Sequence, residues 1–281
     1  MYNITNGTRA APGNELGIFE DLGDHYSQQD LNTFFKAVYP QIPQGTHPTL
    51  KGIDGATGPV AVAEAGGESD LDFEISYPII WPQNSVLFQT DDDVYEAGYE
   101  STGFLNTFLD AIDGSYCSYS AYGESSPSPL DPQYPDPAAG GYKGQLQCGV
   151  YKPTNVISIS YGGSELALST NYQRRQCDEY MKLGLQGVTV VISSGDDGVS
   201  CDPYQSEIFS PGFPVICPYV TAVGSTALPP GSAVTASQIA TTEFSSGGGF
   251  SNIFPVPDFQ KQAVETYLNE HPPSFDAYQT Q

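Results

Sequence analysis

Short apolar runs alternate with longer helical repeats along the 281-residue chain. Leu16-Gly17-Ile18-Phe19, Ser85-Val86-Leu87-Phe88, Val156-Ile157-Ser158-Ile159, Val188-Thr189-Val190-Val191-Ile192 and Tyr219-Val220-Thr221-Ala222-Val223 are mostly rich in β-branched residues and bounded by Gly, Pro, Asn or Asp. This pattern predicts buried strands. Between them Phe104, Leu105, Phe108, Leu109 and Ile112 recur at helical spacing, as do Cys177, Tyr180, Met181 and Gly184 behind a Ser169 or Thr170 cap. Strands alternating with helices predict an α/β domain with a doubly wound, mostly parallel sheet. Residues 113–148, rich in Ser, Pro, Gly and Tyr, predict a long loop insertion that a Cys117–Cys148 bridge would pin. No internal repeat or clear linker divides the chain, so one domain over 1–281 is expected. In such sheets active sites gather beyond the carboxyl ends of the strands, so the strand-to-loop junctions are where chemistry is sought.

One such stretch is Glu68-Ser69-Asp70-Leu71-Asp72-Phe73-Glu74-Ile75-Ser76-Tyr77, which reads as a short helix opened by Gly66-Gly67 and stopped by Pro78. Glu68, Leu71, Asp72 and Ile75 fall at i, i+3, i+4 and i+7 on a single stripe, while Ser69, Asp70 and Glu74 supply a polar opposite face. Two half-buried carboxylates that close cannot both ionise easily, so one proton stays available for acid–base work. The alternative is an acidic solvent-facing helix, in which like charges at i, i+4 cost only a few tenths of a kcal/mol.

Ser193-Ser194-Gly195-Asp196-Asp197-Gly198 directly follows the Val188–Ile192 strand and places Asp196 at a carboxyl-terminal strand edge. A Gly-Asp pair there is often only a turn. A buried, protonated Asp196 would instead donate a hydrogen bond to a developing oxyanion. Ser160-Tyr161-Gly162-Gly163 similarly ends the Val156–Ile159 strand, and its glycines either admit a substrate backbone or simply turn the chain.

The charge narrows the setting. Lys and Arg number 9 against 33 Asp and Glu, a net charge of −24, although charged residues make up only 15% of the chain. Such a field repels phosphate backbones and anionic lipid, which argues against nucleic-acid and membrane partners. No run approaches the ~18 consecutive apolar residues of a membrane span. Repulsion of this size is relieved where carboxylates are protonated, which suggests an acidic working environment; a highly soluble acidic protein at neutral pH is the alternative. Asn3-Ile4-Thr5 and Asn6-Gly7-Thr8 are glycosylation acceptors consistent with secretion. Cys117, Cys148, Cys177, Cys201 and Cys217 contain no C-x-x-C pair and stand beside only three histidines, so disulfides are expected in place of a metal site. Five is odd, and Met1-Tyr2-Asn3 begins no signal peptide, so the sequence reads as an excerpt of a longer precursor.

Together these pieces resemble the sedolisin family of serine-carboxyl peptidases, which includes tripeptidyl peptidases. Glu68-Ser69-Asp70-Leu71-Asp72 matches the family's E-x-x-L-D motif, Ser194-Gly195-Asp196 with Gly198 its S-G-D-x-G motif, and Ser158-Ile159-Ser160-Tyr161-Gly162 its substrate-flanking S-x-S-[WY]-G strand. Ile42-Pro43-Gln44-Gly45-Thr46, after Asn32 and Phe34-Phe35, is similar to fungal-type members. The resemblance implies a subtilisin-like fold with helices on both sheet faces, and a secreted peptidase acting in acid on peptides or proteins as a tripeptidyl peptidase or endopeptidase. It implies Glu68 as general base, Asp72 as the group orienting it, Asp196 as oxyanion donor, and Ser160, Tyr161 and Gly162 as substrate-binding residues. Glu20, at the end of the first strand, would extend the acid chain behind Asp72.

The family's nucleophile sits in a later G-T-S-x-S motif, and no Gly-Thr-Ser occurs in this sequence. Gly224-Ser225-Thr226 comes too early and in the wrong order, while Ser245-Ser246-Gly247-Gly248-Gly249-Phe250-Ser251 resembles the loop preceding that motif. The expectation is therefore a catalytic domain without its propeptide, its nucleophile segment or the ligands of the calcium that the family implies. A non-catalytic peptide-binding protein of the same fold is the alternative.

Overall fold

Adjacent residues of the first strand, Ile18 and Phe19, are both fully shielded from solvent. Because successive strand side chains point to opposite faces, both faces must be covered. The computed structural model, which describes residues 5–97, 105–117, 132–199 and 209–272, has that arrangement. In chain order its strands and α-helices are β1 (Leu16–Glu20), α1 (Gln28–Val38), β2 (Thr49–Ile53), α2 (Gly67–Ile80), β3 (Ser85–Thr90), α3 (Asp93–Glu96), α4 (Asn106–Ile112), β4 (Val156–Ile159), β5 (Gly163–Ser164), α5 (Thr170–Leu185), β6 (Thr189–Ser193), β7 (Gly212–Phe213), β8 (Thr221–Val223), β9 (Thr226–Ala227), β10 (Ile239–Ala240) and α6 (Asp258–Glu270). Ile18 and Leu87 join Leu31 and Phe35 of α1 and Phe73 and Tyr77 of α2 in one core. Phe19, Phe88, Ile159 and Ile192 join Phe108 of α4 and Cys177, Tyr180 and Leu183 of α5 in the other.

The main sheet has six strands in the order β2-β3-β1-β4-β6-β8, and every pairing in it is parallel. The chain winds from β1 toward β2 and β3 on one side, then returns to lay β4, β6 and β8 on the other. The winding thus reverses between β1 and β4, and the crevice beyond their carboxyl ends is where a doubly wound sheet presents its ligand site. Glu20 ends β1, and Ser160 directly follows β4.

Several expectations need correction. Pro78 does not stop α2, which runs on to Ile80. An interior proline loses its bond to the carbonyl four residues back and crowds that carbonyl with its ring, yet Trp81 N–H still closes the last turn on Tyr77 O at 2.9 Å. Leu71 and Ile75 are exposed, with Ile79 beside them; the buried face of α2 is Ser69, Phe73 and Tyr77. The Tyr219–Val223 strand shortens to Thr221–Val223 and is exposed, because β8 is the edge of the described sheet and pairs only with β6. On α5, capped by Ser169 as expected, Met181 and Gly184 face solvent, and the buried residues include Tyr172, Gln176, Cys177, Tyr180 and Leu183. Phe104 and Cys201 lie outside the described residues, as do Asn3, Ile4 and residues 118–131 of the expected insertion. Cys117–Cys148 forms, and a second disulfide joins Cys177 of α5 to Cys217.

Candidate active site

Sequence-local signals leave the start of α2 uncapped: Gly66 stands at the N-cap and has no side chain to accept a hydrogen bond. The loop after β1 supplies what is missing. Asp24 Oδ1 accepts the Ser69 N–H at 3.0 Å, Gly66 N–H donates to His25 O at 2.9 Å, and Asp70 Oδ1 accepts the Ser27 N–H at 2.8 Å. A Cβ on Gly66 would stand 1.8 Å from Asp24 Oδ1, so only glycine lets the loop come this close. These bonds fix the first turns of α2, and with them Glu68 and Asp72, beside the ends of β1 and β4.

Asp72 is held from the β4 side. Ser160 Oγ lies 3.0 Å from Asp72 Oδ1 and 2.9 Å from Oδ2. Its neighbour Tyr161 donates its hydroxyl to Glu20 Oε2 at 2.7 Å, and the Tyr161 ring meets Phe19 edge-on at 5.6 Å. Two consecutive residues after β4 thus grip two different carboxylates, and Glu20 is fully buried. Burial pushes the Asp72 carboxyl up to about 7, helped by the Glu68 charge and opposed by the Ser160 hydroxyl. Glu20 is raised well above the usual carboxylate range by its burial and then by the charge of Asp72, against the Tyr161 bond. Half-buried Glu68 is raised as well, first by desolvation and then, against the pull of Ser160, by the charges of Asp24 and Asp196. The array therefore retains protons at pH values where isolated carboxyl groups have lost them.

Asp196 lies three residues beyond β6 and is exposed, so the burial that would favour a protonated oxyanion donor is not met. Its loop is nevertheless tightly held. Gly195 and Gly198 adopt positive φ, Gly198 N–H donates to Ser245 O at 2.8 Å, and Gly247 N–H donates to Gly195 O at 2.6 Å. A Cβ on Gly247 would fall 1.6 Å from Ser194 O. Ser246 Oγ, 3.3 Å from Ser194 Oγ, also accepts the Ser225 N–H at 2.8 Å. The three flagged loops containing Ser194, Ser225 and Ser246 thus meet at one point. The sequence reading missed Ser246 as the pin, and also Glu165, a buried carboxylate that accepts Ser251 Oγ at 2.8 Å and Asn252 N–H at 2.9 Å. Ser246 stands in the quoted Ser245–Ser251 string, which gave it no role of its own, and no motif marked Glu165.

Gly162 faces protein: its Cβ would stand 3.1 Å from Phe213 O, whereas nothing lies within 4 Å of a Cβ on Gly163. A cavity of about 300 Å³ opens beside Ser194 and Gly224 and is otherwise lined by groups such as Val220, Ala222, Phe250 and Phe254, with no ionisable side chain among the described residues of its wall. None of Glu20, Glu68, Asp72 and Asp196 lines it.

Among the described residues, His25, Asp93 and Glu96 form the one group whose ligand atoms lie within 4.8 Å of one another. Its core is an ion pair, His25 Nε2 to Glu96 Oε2 at 3.3 Å. Burial alone would lower the imidazole, but the Glu96 carboxylate outweighs it and leaves His25 raised. Ca²⁺ takes roughly six to eight oxygen ligands, so this three-residue group with a nitrogen donor does not fit calcium.

No protein-family model matches the chain. Among curated proteins it is 60% identical to tripeptidyl-peptidase sed1 of Aspergillus fumigatus, over all of this chain and 44% of that protein, and 53% identical to aorsin of Aspergillus oryzae, over 99% of this chain and 45% of the relative. The chain thus spans under half the length of these relatives. Human tripeptidyl-peptidase 1 is 39% identical over 119 residues, 42% of this chain and 21% of that protein. Pseudomonas sedolisin, a serine-carboxyl proteinase solved with pseudo-iodotyrostatin, shares the fold with a TM-score of 0.58 at 18% identity, over 91% of this chain and 62% of its own. Along its whole length the chain is thus homologous to part of these fungal enzymes, and its fold is the sedolisin-like subtilisin fold.

Proposed function

We propose that this chain is the carboxylate-bearing part of an acid-acting, secreted serine-carboxyl peptidase that cleaves peptide bonds in peptides or proteins. The observation that carries the reading is the grip of Ser160 on both oxygens of Asp72, one helical turn from half-buried Glu68, at the point where the sheet reverses its winding. Glu68 accepts the proton of a serine hydroxyl as that oxygen attacks the peptide carbonyl, then returns it to the amine that leaves. Asp72, fixed by Ser160, orients Glu68 and shares its proton. Asp196 donates to the oxyanion, with a bound peptide covering the loop that is otherwise open. The relatives named as tripeptidyl peptidases support this substrate class. The nucleophile, the calcium ligands and a propeptide belong to sequence outside these 281 residues, a reading supported by the absence of any Gly-Thr-Ser here.

The 281-residue chain assayed alone, from pH 3 to pH 8, is expected to release no product from peptide substrates above the uncatalysed rate. The transcript read past the Gln281 codon should continue in frame to a Gly-Thr-Ser motif. Turnover by the chain alone would place a nucleophile within it and overturn this division of labour. A stop codon directly after Gln281 would favour a peptide-binding protein that cleaves nothing.

A further inference from the structure

Asp24 is matched by none of the motifs above, yet it touches the candidate site from a separate segment. It lies in the loop between β1 and α1, and its Oδ1 accepts the Ser69 N–H at 3.0 Å, inside the first turn of α2 and directly beside Glu68. Its backbone is fixed in turn: its N–H donates to Asp21 O at 3.1 Å and its carbonyl accepts from Gln89 Nε2 at 3.1 Å. Gly66 is the position that a side-chain cap would occupy, and a Cβ there would collide with this same carboxylate. The helix has therefore exchanged a local cap for one delivered from the loop that follows β1, the strand that carries Glu20.

We propose that Asp24 is a positioning residue for Glu68 and Asp72, acting through the first turn of α2, which it caps from outside the helix. An ordinary cap would be equally well served by a neutral Ser or Asn at position 66. A charged cap reaching in from the β1–α1 loop does something those cannot: it holds a negative charge close to a cluster of carboxylates. The titratable groups that feel it are Glu20 of β1, Glu68, Asp70 and Asp72 of α2, and Tyr161 after β4, and its charge raises all five. The same carboxylate thus fixes where the pair stands and keeps protons on it. This inference rests on the proposed roles of Glu68 and Asp72 for its catalytic meaning, but its tests need no turnover.

The 281-residue chain is compared with Asp24→Asn, which keeps an acceptor oxygen for Ser69 N–H but loses the charge, and with Asp24→Ala, which loses both. Side-chain ¹³C NMR follows the titration of Glu68 and Asp72, and amide exchange follows Ser69. Asp24→Asn should lower the titration midpoints of both Glu68 and Asp72 while leaving Ser69 exchange within a few-fold of the parent. Asp24→Ala should lower both midpoints and also speed Ser69 exchange at least tenfold. Unmoved midpoints in Asp24→Asn would overturn the electrostatic role, and unchanged Ser69 exchange in Asp24→Ala would overturn the cap. If the variants respond as expected but the longer protein proves unable to cleave peptides, the proposed function fails and the role of Asp24 toward the pair stands.

Discussion

Raising the pH from 4.5 to 7.5 is expected to destabilise this fold by several kcal/mol. Burial pushes Asp21, Asp54 and Asp72 up to about 7 from an ordinary value of 3.8. A carboxyl raised on folding is protonated in both states below about pH 4. Between there and its folded value the unfolded chain binds fewer protons than the native one, so stability falls with rising pH and levels off only above pH 7. A carboxyl raised from 3.8 to about 7 corresponds to about 4 kcal/mol, a large share of the ~5–15 kcal/mol that holds a domain together. His25, raised through Glu96, acts in the same direction, since its contribution is lost as pH rises through its folded value. Asp113 acts oppositely: burial is outweighed by Lys182 and Ser115, which hold it below the usual range, so its contribution disappears in acid. Lys182 is substantially exposed, however, and water screens that pair. Urea unfolding should therefore show a clearly higher midpoint at pH 4.5 than at pH 7.5. Asp54→Asn, which keeps the acceptor for Gln147 N–H and cannot ionise, should flatten part of the difference. Stability that is flat or rises toward neutrality would show that these carboxyl groups are solvated or paired in some other way.

In the proposed longer protein, with its serine, loss of the Glu68 carboxylate should abolish catalysis. Members of a catalytic unit act together, so Glu68→Gln is expected to lower kcat by several orders of magnitude with KM nearly unchanged. Asp72→Asn should cost less if, as proposed, Asp72 orients the base and does not itself take the nucleophile's proton. At Asp196, asparagine retains a donor of similar shape and alanine does not, so Asp196→Ala should be slower than Asp196→Asn by roughly 10–1000-fold if the group stabilises an oxyanion. Equal rates for the two would return Asp196 to the status of an ordinary turn residue, and near-normal turnover by Glu68→Gln would remove it as the base.

Strands whose sequences stand out were legible in advance for a physical reason. A parallel strand buried on both faces must be apolar along its length, and Ser85-Val86-Leu87-Phe88 and Val156-Ile157-Ser158-Ile159 advertise themselves in that way. β2 does not. It is the other edge of the main sheet, begins exposed, and carries Lys51 and Gly52, so Thr49–Ile53 shows no apolar run. The same reason misled the reading of β8, where an apolar string occupies an edge with no described layer over it. α1 was missed although Ser27 caps it, because its buried contacts reduce to Leu31 and Phe35. Within the site, Glu68 and Asp72 were recognisable because helical spacing places them one turn apart. Local spacing says nothing of Asp24 or Ser246, since both act across long sequence separations. Nor could it say that Leu71 and Ile75 would face outward, because the core that selects one face of α2 is built by β1, β3 and α1.

The protonation state of Asp72 is the most direct test of the carboxylate array. With the side-chain carboxyl carbon followed by ¹³C NMR in the 281-residue chain, Asp72 should titrate near pH 7, and Glu68→Gln should lower that midpoint by removing a neighbouring charge. A midpoint near the ordinary value of 3.8 that is indifferent to Glu68 would mean that the two groups neither share a proton nor act on one another, and the proposed acid–base unit would not exist.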